Sequence, residues 1–92
     1  MSLTLKIFDK QTGEPIYPDT YTLQHKKLSD IQYFNFSDSN LIEESSIVSG
    51  EYFLLIDGYA PYYIDASNVT FSNLDLDNVQ LVKKQFKIKL YD

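Results

Sequence analysis

Apolar and polar residues alternate along much of this chain with a period of two. In Leu3-Thr4-Leu5-Lys6-Ile7-Phe8, the residues Leu3, Leu5 and Ile7 share one side and Thr4 and Lys6 the other. Successive side chains of a strand point to opposite faces, so the pattern predicts a half-buried β-strand. The run Asp9-Lys10-Gln11-Thr12-Gly13-Glu14-Pro15 reads as a turn punctuated by glycine and proline. Ile16-Tyr17-Pro18 and Tyr21-Thr22-Leu23 predict a second strand. Pro18 has no N–H to give a ladder, so this strand is expected at an edge or broken at a bulge. Residues 24 to 30 are polar and read as loop, and Ile31-Gln32-Tyr33-Phe34-Asn35-Phe36 alternates again as a strand.

Between Ser37 and Ser49, the residues Leu41, Ile42, Ile47 and Val48 fit a short strand or one helical turn, and the pattern does not choose. Gly50 to Tyr59 carries a continuous apolar run bounded by glycines, the mark of a central strand buried on both faces. Tyr62-Tyr63-Ile64-Asp65 and Val69-Thr70-Phe71 read as short strands. Leu74-Asp75-Leu76-Asp77 alternates, and Val79-Gln80-Leu81-Val82 resumes after a one-residue phase shift at Asn78, as a bulge would give. Gln85-Phe86-Lys87-Ile88-Lys89-Leu90-Tyr91 closes the chain as an amphipathic strand with Phe86, Ile88 and Leu90 inward. About seven short strands at roughly ten-residue spacing, with no helix of three turns, predict a single all-β sandwich over residues 1–92.

Two stretches carry a resemblance. Leu3-Thr4-Leu5-Lys6-Ile7-Phe8-Asp9 with Thr12-Gly13-Glu14-Pro15-Ile16 resembles the opening strand and turn of carboxypeptidase-regulatory-like and transthyretin-like (prealbumin-like) domains. Gly50-Glu51-Tyr52-Phe53-Leu54-Leu55-Ile56 followed by Gly58-Tyr59 is similar to their later signature. The resemblance implies an immunoglobulin-like or transthyretin-like sandwich, and a structural or adhesive module in most cases. The enzymatic branch of that group, the hydroxyisourate hydrolases, uses several histidines, an arginine and a C-terminal Tyr-Arg-Gly-Ser. This chain has one histidine, His25, no arginine, and ends Lys89-Leu90-Tyr91-Asp92.

Composition narrows the function further. Ninety-two residues bury roughly 60–65% of the unfolded surface, enough for one core. Eight tyrosines and six phenylalanines favour strands. The absence of cysteine removes disulfides and thiolate metal sites. With a net charge of −5 and no arginine, the chain lacks the basic patch that a phosphate backbone needs, so nucleic acid is not an expected partner. No basic-then-apolar leader and no run of about 18 apolar residues is present, so the expectation is cytoplasmic synthesis without a signal peptide or membrane span. The sequons Asn35-Phe36-Ser37 and Asn68-Val69-Thr70 are then read as coincidental.

Catalytic chemistry finds little to use. A serine nucleophile needs an oriented base, and His25 beside Lys26 and Lys27 reads as a solvated loop histidine. Asp75, Asp77 and Asn78 offer oxygens to a calcium ion, but without EF-hand spacing a solvated strand face is the plainer reading. No enzyme and no cofactor are expected. Two candidate contact surfaces remain. From Leu28 to Val82 nine residues are acidic and none basic, so Lys83, Lys84, Lys87 and Lys89 would form a basic edge on an acidic body, unless Lys6, Lys87 and Lys89 merely guard strand edges. The loop of Tyr59, Tyr62 and Tyr63 would anchor a protein or stack on a sugar, unless Tyr59 packs over the sandwich end. The expected function is a structural or adaptor module making protein–protein contacts or self-associating in a larger assembly. A bacteriophage particle or contractile injection device suits so bare a domain. The alternative is a carbohydrate-binding module that takes a glycan at the tyrosine loop.

Overall fold

Period-two burial is what the computed structural model realises, and it describes residues 1–68 and 72–84. Among the described residues seven strands form in chain order: β1 Ser2–Asp9, β2 Thr20–His25, β3 Gln32–Phe36, β4 Leu41–Glu44, β5 Gly50–Leu55, β6 Tyr62–Ala66 and β7 Asn73–Leu81. They make two sheets, one ordered β4-β1-β7 and one ordered β3-β2-β5-β6. Pairing is antiparallel except between β1 and β7, which run parallel. Among the described strands, four of the six connections pass from one sheet to the other, leaving β2–β3 and β5–β6 as neighbours in both sequence and sheet. Among the described residues no helix is long and apolar enough to cross a membrane.

The inward positions of every strand but β3 meet in one core. Leu3, Leu5 and Ile7 of β1, Leu23 of β2, Ile42 of β4, Tyr52 and Leu54 of β5, Ile64 of β6, and Val79 and Leu81 of β7 are almost wholly buried. Each buried Leu, Ile or Val contributes about 1.5–3 kcal/mol relative to exposure. Ile31 and Tyr33 lie partly buried against this core at the β3 side.

The phase shift expected at Asn78 is present as a bulge. Leu5 pairs with Leu76 and Ile7 with Val79, so β7 advances three residues while β1 advances two. The extra residue shifts the register by one and so keeps Val79 and Leu81 on the inward side with Leu74 and Leu76.

Several expectations are corrected. The second strand is not an edge, since β2 lies between β3 and β5, but it starts only at Thr20: Ile16–Pro18 fall outside it, and Pro18 is buried two residues ahead, where no ladder bond is required. Residues 24 and 25 belong to β2 rather than to a loop, with Gln24 opposite both Gln32 and Phe53. The ambiguous stretch yields β4 at 41–44, paired with β1. β5 is internal as expected, yet only one of its faces is buried, because Leu55 stands exposed. Lys6 guards no edge, since β1 is the middle strand of its sheet. The strands read at Val69–Phe71 and 85–91 lie outside the described residues.

Candidate functional site

The two outer faces of the sandwich differ in chemistry. The outer positions of the three-stranded sheet are mostly polar: Ser2, Thr4 and Lys6 on β1, Glu43 on β4, and Asn73, Asp75 and Gln80 on β7. The outer positions of the four-stranded sheet carry Phe34 and Phe36 on β3, Phe53 and Leu55 on β5, and Tyr63 on β6. Cross-strand register sets them side by side around the threonines of β2. Phe34 lies opposite Thr22, which lies opposite Leu55, and Phe53 lies opposite Tyr63. Phe34 and Phe36 meet edge to face at 6.1 Å, as do Phe53 and Tyr63. Phe36 is 81% exposed and Phe34 60%. Large aromatic surface left in water on one face of a small domain is the mark of a contact surface.

Polar groups frame this face. The Tyr63 hydroxyl donates to the Glu51 carboxylate. That bond, and burial after it, push the Tyr63 hydroxyl up to about 12. The Lys26 ammonium stands 5.5 Å from the centroid of the Tyr63 ring, within cation–π range. At the β3 side, Tyr21 donates to Glu44 at 2.7 Å and Asn35 donates to the same carboxylate oxygen, tying β4 to the underside of β2 and β3. Burial, with the Glu44 bond second, holds the Tyr21 hydroxyl well above its ordinary range.

The structure separates the three tyrosines expected to form one loop surface. Tyr59 is half-buried and donates at 3.0 Å to Asp9, Tyr62 packs inward against the core, and Tyr63 alone joins the outer face. Asp9 is the hub of that end. Its carboxylate accepts the amides of Gln11 at 2.8 Å and Thr12 at 3.2 Å as well as the Tyr59 hydroxyl. Burial alone would raise the Asp9 carboxyl, but the Thr12 and Gln11 amides, Tyr59 and the charge of Lys83 together hold it below its ordinary value. A carboxylate so fully engaged shapes the 9–14 turn.

The described lysines do not gather along one edge. Lys83 and Lys84 are exposed beside the 58–60 turn, where Lys84 donates its amide to Gly58, while Lys26 and Lys27 follow β2 at the opposite end of the sandwich. Lys87 and Lys89 lie outside the described residues. Asp75, Asp77 and Asn78 are exposed on β7, and among the described residues no group of three or more histidine and carboxylate side chains is placed to hold a metal.

His25 overturns its expectation, because its side chain is buried. It continues the inward alternation of Tyr21 and Leu23 and meets the Tyr52 ring edge-on at 5.1 Å. Nδ1 accepts the backbone amides of Lys27 at 3.2 Å and Leu28 at 3.0 Å, so the ring organises the turn after β2 and carries its proton on Nε2. Gly50 makes room for it. A Cβ there would crowd His25 Nε2 beyond any real contact, with Cδ2 at 3.0 Å and Cε1 at 3.1 Å. The aromatic face was also missed, although Phe34 and Phe36 lie on the phase of β3 opposite Tyr33, so that both phases of the strand carry aromatics, and that was visible in the sequence.

No family model matches the chain, and no curated protein or solved structure shows significant similarity to it.

Proposed function

We propose that this chain is a non-enzymatic protein-contact module, an immunoglobulin-like or transthyretin-like sandwich acting as a structural or adaptor piece of a larger assembly. A virion or secretion device is the setting such a domain suits. The observation that carries the reading is the aromatic outer face of the four-stranded sheet, set against a polar face on the opposite side. Aromatic anchors with a polar frame are the composition of interface centres. The finer fold reading draws support from the two-sheet order, the parallel β1–β7 pair and the four crossings between sheets.

A contact surface differs from a core in being dispensable to the fold. The double substitution Phe34→Lys with Phe36→Lys is expected to change unfolding stability by less than about 1 kcal/mol, as exposed positions do. Urea unfolding followed by circular dichroism measures it. A loss above about 3 kcal/mol would assign both rings to this chain's own packing and end the reading.

A further inference from the structure

We propose that β3 pairs with β3 of a second copy of this chain, antiparallel about a twofold axis at Phe34, joining two four-stranded sheets into one of eight. The proposal rests on the contact-module reading and names its partner. Four described strands stand at the ends of the two sheets: β4, β7, β3 and β6. β4 carries Glu43 and Glu44, β7 carries Asp75 and Asp77, and β6 carries Asp65. β3, Gln32-Tyr33-Phe34-Asn35-Phe36, has no charge and no proline, the devices that keep open edges apart.

The hydrogen-bond phase decides what that edge offers. His25 donates its amide to the Ile31 carbonyl and Ser37 donates to the Asp19 carbonyl, so the odd-numbered residues face β2. Antiparallel ladders alternate, which turns the N–H and C=O of Gln32, Phe34 and Phe36 away from β2, to the side where no described strand pairs. In the twofold register Phe34 meets Phe34 of the second copy, and Gln32 meets its Phe36. The arrangement is self-complementary, as an isologous dimer requires, and it closes at two copies. All four phenylalanine rings then share one outer face, extending the edge-to-face pair already formed within each chain.

The interface is small. Rings bury about 150–250 Å² each, so the exposed parts of four give about 500 Å². Backbone and Gln32 bring the total to the region of the roughly 1,000 Å² at the low end of specific interfaces. The same register sets Asp30 against Asp38 of the second copy at both ends, and each copy carries −5. Association is therefore weak and is strengthened by salt, the reverse of pairing through lysine edges.

Sedimentation equilibrium of the full chain, from about 5 to 500 µM at about 50 and 500 mM salt, tests this. The expected result is a monomer–dimer equilibrium that stops at two copies and tightens with salt. Phe34→Lys, which sets like charges face to face, is expected to weaken it at least about tenfold. Asp38→Asn is expected to tighten it several-fold at low salt, a gain that misfolding does not produce. A monomer throughout, a dimer that weakens with salt or ignores Phe34→Lys, or growth beyond two copies would each overturn the pairing. A monomer whose Phe34→Lys, Phe36→Lys variant stays stable leaves the contact-module reading standing with a different protein as partner.

Discussion

Gly50→Ala tests the packing of His25 against a close approach of backbone. The added methyl meets the imidazole, and inserting a methyl into a filled site costs about 1–3 kcal/mol. Gly50 also sits at φ +153°, a conformation side chains rarely adopt, which adds about 1–3 kcal/mol. The sum is about 2–6 kcal/mol, and at about 4–8 °C per kcal/mol the melting temperature falls by on the order of 10–50 °C. Gly13→Ala is the control: its φ of +76° carries a backbone cost, but a Cβ there meets nothing within 4 Å. Urea unfolding at low micromolar protein keeps any association out of the comparison. In a His25→Ala background the methyl meets no ring, so the cost of Gly50→Ala is expected to fall by about 1–3 kcal/mol in a double-mutant cycle. Equal losses for the two glycine variants, together with no coupling to His25, would refute the argument.

Asp9 gives stability a defined pH dependence. Its folded carboxyl lies below the ordinary value of 3.8, so the stabilisation it contributes is complete above that value and is lost as pH falls through the lowered one. Asp9→Asn is expected to be less stable at neutral pH and to show a flatter acid limb in unfolding experiments across that window. Deleting Asn78 removes the extra residue of the bulge and leaves Leu74, Leu76, Val79 and Leu81 in unbroken alternation. That variant is expected to fold within about 1 kcal/mol of the parent, whereas deleting Asp75 flips Leu74 out of phase with the rest and is expected to cost more than about 3 kcal/mol, both read by thermal melts.

The sequence carried the strands whose inner face is aliphatic and outer face polar. β1 and, on either side of its bulge, β7 were legible for that reason. It misled where both phases are apolar. β5 reads Tyr52-Phe53-Leu54-Leu55, which looks like burial on both faces, and only the exposure of Leu55 in the folded sheet separates the two. β2 was misjudged because Pro18 and His25 have polar or strand-breaking averages, while here one stands ahead of the ladder and the other fills a space opened by a glycine 25 residues later. Of the candidate site, Tyr63 alone was named from the residues. The partnership of Phe34, Phe36, Phe53 and Leu55 depends on which strands become neighbours, and that is set by crossings between sheets rather than by local pattern.

The parallel pairing of β1 with β7 has a mechanical consequence. Its register runs from Ser2 beside Asn73 to Asp9 beside Leu81, with both strands pointing the same way. Tension applied at Ser2 and at Leu81 drags the two strands in opposite directions along their common axis. The cross-strand hydrogen bonds then bear the load together in shear instead of parting one after another, as they would if the strands were peeled from one end. Rupture under force follows the unfolding rate, so this geometry resists tension applied across the β1–β7 pair whatever the equilibrium stability of the domain.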